Sequence, residues 1–400
     1  MSRESTERPA DTGARTPTAR APRPRPDRAA ATIAGGVARE VLGAGMIIMP
    51  AVVADLTGHG SLRAWTLHIL LGGSVCLLLA LLVRGTGRSL PLAATVGATL
   101  GQRAAGLVNA VFAVAFTAGQ AAIAWFAATC VLAAATGAVQ PPGQTGLLAA
   151  LGVLATALAL ALSPLRLPAA VLRARPWAAG AVALGCAACA WPDAPGTGSH
   201  TPLVPSSLQP GGAFWLAVAA LFFAGVGWEA VTSVVPDPPT TAGRTAAGVG
   251  LGVAVVTAAY LGLAAVRSVA AGAGAPEPPV AWLRWTLAGA VLVILTSYCL
   301  TNIRTAARIA AALRPDAAGP RRPLVAAVGA LCCGFAVIGA RDGGVPLLLL
   351  GPAVAAVTGY AAGAVAALRR GGPLLRCGAG VVLLGLAATT VQTMRALLPG

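Results

Sequence analysis

The sequence predicts an all-α, polytopic membrane protein. Of its 400 residues, 57% are hydrophobic and only 10% are charged, whereas soluble domains carry about a quarter charged residues. Apolar stretches of about 20 residues recur along the chain, and each is long enough to cross a bilayer core of about 30 Å as a helix. The stretches show no period-2 alternation, so the pattern argues against a β-barrel, the other structure that spans membranes.

Eleven apolar stretches are predicted to span the membrane, separated by segments rich in Pro and Gly such as AVQPPGQTG at 138–146. The predicted spans are 31–57, 62–83, 105–136, 146–163, 168–191, 212–235, 244–271, 284–313, 323–340, 344–368 and 374–396. The third span follows a polar segment at 84–103 and is expected to begin beyond Ala105.

The first 28 residues, MSRESTERPADTGARTPTARAPRPRPDR, are rich in Arg and Pro and contain almost nothing apolar. Such a segment cannot bury enough surface to fold alone. Residues 1–28 are therefore predicted to form a disordered cytoplasmic tail. Its basic residues would orient the chain, and binding to anionic lipid headgroups is the alternative role.

The arginines predict the orientation of the chain. All 28 basic residues are arginine, and the formal net charge is +16. With the N-terminus inside, 22 arginines fall in the tail and internal segments, 5 fall in external segments, and Arg39 lies within the first span. Cytoplasmic loops are enriched in Arg and Lys, so the pattern predicts a cytoplasmic N-terminus and an external C-terminus. This interpretation is preferred to nucleic-acid binding as the reason for the charge.

The cysteines and histidines do not form a recognisable metal or catalytic motif. All eight cysteines lie in or beside apolar stretches, where cysteine packs as a small hydrophobe. Cys186 and Cys189 form a C-x-x-C, but no His or Cys partners follow at metal spacing. The three histidines are scattered, and the chain has no phosphate-binding loop. We therefore expect no metal, no cofactor and no enzymatic activity.

Two spans carry a break in the middle. The first contains Gly43, Ala44 and Gly45, followed by Pro50, and the sixth contains Gly225, Val226 and Gly227. Backbone groups freed at such breaks are tolerated only where they face protein or a water-filled cavity. Close helix packing through small residues is the alternative explanation, since 50 of the residues are glycine.

The two breaks occupy equivalent positions if the chain contains two five-span units, residues 31–191 and 212–368, with 374–396 as an additional helix. Because five is odd, the second unit would enter the membrane from the opposite side, giving a 5+5 inverted repeat. Broken helices at corresponding positions of inverted repeats indicate the substrate site of a transporter. Helix N-termini there would bind a carboxylate, and free carbonyls would bind an ammonium group or a cation.

Carboxylates and hydroxyls beside the breaks are candidates for coupling. Glu229 near mid-membrane would either carry a coupling proton, fix the broken segment by a hydrogen bond, or brace the helix without titrating. Glu40, one turn before the first break, is the second candidate, and it could instead form a gating pair with Arg39. Thr296 and Ser297 could complete a sodium site with carbonyls of the first break, although such hydroxyls more often bond to nearby backbone.

The motifs LGAGMIIMPAVVAD at 42–55 and FFAGVGWEAVTS at 222–233 resemble the first-helix and sixth-helix signatures of the amino acid–polyamine–organocation permeases. Within that superfamily the chain is most similar to the bacterial exporters of methionine and branched-chain amino acids. A weaker likeness lies at 297–320, where Arg308 fits an arginine at the cytoplasmic end of helix eight. The resemblance covers residues 31 to about 322.

The resemblance implies a LeuT-like ten-helix core that binds an amino acid between helices one and six and works by alternating access. Gly43, Ala44 and Gly45 would contact the substrate carboxylate through backbone amides. Gly225, Val226 and Gly227 would face its ammonium group, and Trp228 would close the pocket as an aromatic gate. Two departures are Met46-Ile47-Ile48 after the first break and Val235-Pro236-Asp237, where relatives often show paired acidic residues.

The expected function is secondary active transport of neutral, apolar amino acids across the bacterial cell membrane, by import or export, coupled to protons or sodium. The expected partners are the amino acid and the lipid bilayer, with no nucleic acid. A non-transporting membrane scaffold or sensor is the alternative, followed by a membrane-embedded enzyme. The substrate, the coupling ion and the oligomeric state stay open at this point.

Overall fold

The computed structural model describes residues 26–137, 143–191, 211–237, 240–272, 279–313, 322–341 and 345–397. These residues are overwhelmingly helical, and none of them forms a strand. The predicted disordered tail lies outside the described residues up to position 25. Its last three residues, from Pro26 to Arg28, belong instead to the first helix.

Fourteen α-helices follow one another along the described chain. They are α1 (Pro26–Val41), α2 (Gly45–Thr57), α3 (Ser61–Thr86), α4 (Leu92–Leu100), α5 (Gln102–Thr136), α6 (Gln144–Leu162), α7 (Ala169–Ala188), α8 (Gly212–Ala224), α9 (Val231–Val234), α10 (Ala242–Gly272), α11 (Ala281–Ala311), α12 (Arg322–Arg341), α13 (Val345–Arg370) and α14 (Pro373–Leu397). Single 3₁₀ turns form at Gly58–Gly60 and Trp228–Ala230.

Eight of the described helices are long and apolar enough to cross a membrane, and two bent helix pairs bring the number to ten. The bent pairs are α1 with α2, at 59°, and α8 with the segment 228–234, at 41°. This composition is that of a multi-pass membrane protein. The count differs from the eleven predicted spans because α7, the predicted fifth span, is not among the ten. Arg173, Arg175 and Pro176 interrupt the apolar run in its first turns.

The predicted start of the third span is wrong. Helix α5 begins at Gln102 rather than beyond Ala105, and the preceding segment folds into the short helix α4 instead of a polar loop. The segment LAATVGATL contains three alanines and two leucines, which favour a helix, and it buries Leu92 and Val96. Gly101 separates the two helices because its φ of +93° lies in a region that favours glycine.

The bundle is held together by pairs of long helices. Helix α5 packs against α11 and α13, α10 packs against α1 and α3, and α6 packs against α12. At the α1–α10 contact, a Cβ at Gly248 or Gly252 would lie only 2.9 Å from an atom of α1. Glycines four residues apart thus allow these two backbones to approach closely, the role that small residues have in membrane helices.

Arg304 of α11 closes the end of a neighbouring helix. Its guanidinium donates hydrogen bonds of 2.9 to 3.1 Å to the carbonyls of Leu160, Ala161 and Ser163. These carbonyls lie at the C-terminus of α6, where the last helical C=O groups have no partner within the helix. A partly buried cation at a helix C-terminus also complements the helix dipole.

Candidate functional site

Both predicted interruptions are present and occur at the glycine-containing triplets. Helix α1 ends at Val41 and α2 begins at Gly45, so Gly45 is the first residue of α2 rather than part of the break. Helix α8 ends at Ala224, and Gly225–Gly227 form a turn before the next 3₁₀ segment. Pro50 lies within α2 without ending it.

The two breaks lie against each other. An added Cβ at Gly45 would come within 2.6 Å of the Ala224 Cβ, and one at Gly227 would come within 2.5 Å of the Glu40 carbonyl oxygen. Gly227 also has a φ of +143°, which side-chain-bearing residues rarely adopt. The glycines therefore permit a backbone contact between the ends of α1 and α8.

Backbone donors and acceptors without partners among the described residues occur on the two sides of this contact. Within the described part of the chain, the N–H groups of Gly43, Ala44 and Gly45 donate to no partner. At the C-terminus of α8, the carbonyls of Phe223 and Ala224 accept no hydrogen bond from described residues. The N-terminus of α2 carries partial positive charge and the C-terminus of α8 partial negative charge. The arrangement can therefore bind a group with both an anionic and a cationic end.

A cavity of about 600 Å³ surrounds the breaks and is bounded by α1, α2, α5, α7, α8, α11 and α13. Exposed Arg39, Arg173 and Arg308 line it at its mouth. Of the predicted substrate and coupling residues, most line this cavity: Glu40, Gly43, Ala44, Gly45, Val226, Gly227 and Glu229. Gly225 lies behind the lining and contributes its carbonyl to a buried hydrogen bond.

One wall of the cavity is polar, and sequence reasoning missed it. The Arg175 guanidinium lies 3.8 Å from the centre of the Tyr298 ring and donates to the Ser297 carbonyl at 3.1 Å and the Thr301 hydroxyl at 2.9 Å. Asn302 donates to the Gln120 side chain at 3.3 Å. The sequence feature that could have predicted this wall is the presence of Gln120 and Asn302 inside strongly apolar spans, where polar side chains are costly and often functional.

The predicted gate residue lies elsewhere. Trp228 is 1% exposed and does not line the cavity. Its indole is directed away from the cavity and against Gly72 of α3, where an added Cβ would overlap the ring. Gly72 allows this position, because a side chain there would occupy the space that the indole fills. Trp228 therefore does not close the cavity in this conformation, and its role as a gate stays a prediction.

The predicted sodium hydroxyls do not meet the first break. The Ser297 hydroxyl donates to the Ile294 carbonyl in its own helix at 2.6 Å, and neither Thr296 nor Ser297 lines the cavity. The structure therefore corresponds to the alternative in which the hydroxyl bonds to nearby backbone. Arg175 instead contacts this part of α11 from the cavity side.

The two candidate carboxylates have different surroundings. Glu40 has a side chain that is 44% exposed and pairs with Arg39 at 3.2 Å. Glu229 is deeper, and its Oε2 accepts the Gly227 N–H at 2.9 Å. The same Oε2 lies 2.7 Å from the Tyr360 hydroxyl oxygen of α13. Glu229 thus braces the second break and lines the cavity at the same time.

Comparison with protein-family models and with curated proteins finds no match for the chain. The class of the protein is therefore given by its own architecture, a helical multi-pass membrane protein. Within that class, its candidate site is a central cavity at two broken helices.

Proposed function

We propose that the protein is a secondary active transporter of neutral amino acids. The observation that carries this proposal is the pairing of free N–H groups at Gly43–Gly45 with free carbonyls at Phe223 and Ala224 in one cavity. An α-amino acid carries a carboxylate and an ammonium group a few ångströms apart. The carboxylate would accept from the N–H groups before α2, and the ammonium group would donate to the carbonyls at the end of α8.

The remaining surface of the cavity supports an apolar substrate side chain. Phe116, Ile123, Phe223, Val226 and Pro352 all line it. The volume of about 600 Å³ lies within the range of about 300 to 1,000 Å³ that is usual for small-molecule sites. We infer that the amino acid backbone binds at the breaks and its side chain lies against these apolar residues.

The helix contacts support an inverted repeat of two five-helix units. Under this pseudo-symmetry, α1 packing on α10 corresponds to α8 packing on α3, and both pairs are in contact. Likewise α5 on α13 corresponds to α11 on α7. Such repeats move as alternating halves around a fixed site, which is the mechanism we propose.

The conformation supports an inward-facing state. The cavity mouth carries Arg39, Arg173 and Arg308, and the positive-inside rule places arginine-rich ends in the cytoplasm. On the other side of the breaks, Trp65 stacks on Tyr260 with ring centroids 4.5 Å apart and closes the bundle. We propose that the chain lies in the bacterial cell membrane with its N-terminus inside.

Counterflow in proteoliposomes tests the proposal. Vesicles loaded with one unlabelled amino acid at a time are diluted into the labelled form, and empty vesicles serve as the control. Transient accumulation for methionine, leucine, isoleucine or valine is the expected result. Absence of counterflow for every amino acid in vesicles with folded protein would favour a scaffold or sensor instead.

A further inference from the structure

The Tyr360 hydroxyl lies between two oxygen atoms. Its oxygen is 2.6 Å from the Gly225 carbonyl oxygen and 2.7 Å from Glu229 Oε2. Both are hydrogen-bond distances for an O–H donor, so each needs a hydrogen atom between the oxygens. A tyrosine hydroxyl supplies one hydrogen and can accept another.

Two short contacts need two hydrogen atoms, and Tyr360 supplies only one, so the other is assigned to Glu229. The Gly225 carbonyl can only accept, so Tyr360 donates to it. The contact between Tyr360 and Glu229 then requires a hydrogen on Glu229 Oε2. With an ionised Glu229, one of the two short contacts would bring lone pairs of two oxygens together without a hydrogen. The Gly227 N–H on Oε2 is compatible with this arrangement, because a protonated carboxyl retains acceptor capacity.

The surroundings of Glu229 also favour the neutral acid. The other titratable groups that face it are Cys76 of α3, Glu40 of α1 and Tyr360 of α13. His68 of α3 lies beside Gly225 on the same side of the break. Among the described residues, no cation forms an ion pair with Glu229, since Arg39 pairs with Glu40. An unpaired carboxylate inside a membrane bundle is costly.

We propose that Glu229 and Tyr360 form the binding site of a coupling proton. The presence of this proton determines whether the Tyr360 hydroxyl donates its hydrogen bond to the Gly225 carbonyl or to Glu229 Oε2. With Glu229 protonated, Tyr360 holds the Gly225 carbonyl. When Glu229 loses its proton to water in the cavity, the Tyr360 hydroxyl donates its hydrogen bond to the carboxylate instead, and the Gly225 carbonyl keeps only the 3.2 Å hydrogen bond from the Trp228 N–H. Because Gly225 begins the second break, proton loss weakens the hold of α13 on this break, which is the hinge at the end of α8. This inference rests on the proposed transport function.

Infrared spectroscopy of the purified full-length chain tests the protonation independently of transport. A protonated carboxyl gives a C=O stretching band separated from the bands of carboxylates. We expect this band at neutral pH in the wild-type protein and its loss in Glu229→Gln. Wild-type and Glu229→Gln spectra that superimpose in this region would overturn the assignment.

Proton flux in proteoliposomes tests the coupling. We expect that the wild-type protein moves protons with substrate, and that Glu229→Gln loses both this proton flux and accumulation driven by a pH gradient. Tyr360→Phe should also lose accumulation, because the hinge no longer responds to the proton. Tyr260→Phe is the matched control, since its hydroxyl donates at 3.1 Å to the Val41 carbonyl beside the other break without a carboxylate.

The outcomes separate the two proposals. The number of protons moved per substrate molecule should be unchanged in Tyr260→Phe, even where its transport rate differs from that of the wild type. Proton flux that persists in Glu229→Gln would overturn the coupling site. If the infrared band is present and no amino acid exchanges, the proposed function fails while the protonation of Glu229 stands.

Discussion

Glycine is needed in the candidate site for different reasons at different positions. At Gly227 a side chain would require a strained φ and would collide with the Glu40 carbonyl oxygen. At Gly45 a Cβ would collide with Ala224. Leucine at either position therefore disrupts the contact between the helices in addition to filling the cavity. Gly43 differs, since a Cβ there would lie 3.4 Å from the Tyr298 ring, an ordinary contact distance.

Gly43→Ala is consequently the cleanest probe of the substrate site. We expect the methyl group to occupy space beside the free N–H groups and to weaken substrate binding by about tenfold, equivalent to about 1.4 kcal/mol. The substrate concentration that gives half-maximal counterflow measures the change. Stability should stay within about 0.5 kcal/mol of the wild-type value, as for substitutions that break no packing.

Gly35→Ala provides the matched control for this substitution. Gly35 lies within α1, the helix that ends just before Gly43, and an added Cβ would have no atom within 4 Å. Alanine is favoured over glycine in a helix, so we expect equal or higher thermal stability and wild-type affinity. Equal affinities for Gly43→Ala and wild type would contradict a substrate position at the first break.

Trp228 is expected to stabilise the fold instead of gating the cavity. Trp228→Ala removes a fully buried ring from its contact with α3 and should cost about 3 to 5 kcal/mol of stability. Trp177→Ala is the control, because that ring is 74% exposed. Denaturant or thermal unfolding in detergent measures both. A normally stable Trp228→Ala protein with altered substrate affinity would restore the gating hypothesis.

At the scale of elements, the contact between α7 and α11 places an arginine beside the predicted sodium hydroxyls. Arg175 of α7 bonds to the Ser297 carbonyl and the Thr301 hydroxyl of α11. These oxygens belong to the part of α11 that the sequence assigned to sodium. The guanidinium already donates hydrogen bonds to them, so a sodium ion binding there would have to displace a fixed positive charge.

Transport is therefore expected to be independent of sodium. Replacing sodium by choline on both sides of the vesicle membrane should leave the counterflow rate within about twofold, since no binding free energy comes from sodium. Thr296→Val should likewise leave the rate unchanged, because Thr296 does not line the cavity. A sodium-dependent rate that disappears in Thr296→Val would support the sodium site after all.

At the scale of the whole molecule, the arginine distribution predicts which loops face the cytoplasm. Gly372 lies between α13 and α14, on the side assigned to the cytoplasm, and an added Cβ there meets no atom within 4 Å. Leu62 lies at the start of α3 on the opposite side and is 40% exposed. Both positions accept a reporter side chain without disturbing packing.

Cysteine labelling in intact cells tests this orientation. In a Cys377→Ser background, which removes the exposed native thiol, a membrane-impermeant maleimide should label Leu62→Cys and not Gly372→Cys. Inverted vesicles should give the opposite result. Labelling of Gly372→Cys from outside intact cells would reverse the topology and place the cavity mouth outside.

Local patterns predicted most of the helices because each span is long, apolar and ended by Pro or Gly. The two breaks were predicted within one residue, since paired glycines in an apolar run have a direct effect on the backbone. Helix α4 was missed because its nine mostly apolar residues are too few to span a membrane and resemble part of a loop. The polar wall was missed because Arg175 and Tyr298 are 123 positions apart in the chain and meet only through the packing of α7 on α11.

The sequence by itself determined the class of fold, most of the helices and the breaks, because hydropathy and glycine act locally along a chain in a membrane. The orientation that the arginines favour stays a prediction. Only the tertiary structure decided which side chains share the cavity. In that structure Trp228 packs against α3, Arg175 donates hydrogen bonds to α11, and Tyr360 lies between Gly225 and Glu229. These outcomes depend on contacts between distant helices, where the space left by one residue, such as Gly72, determines the direction of another.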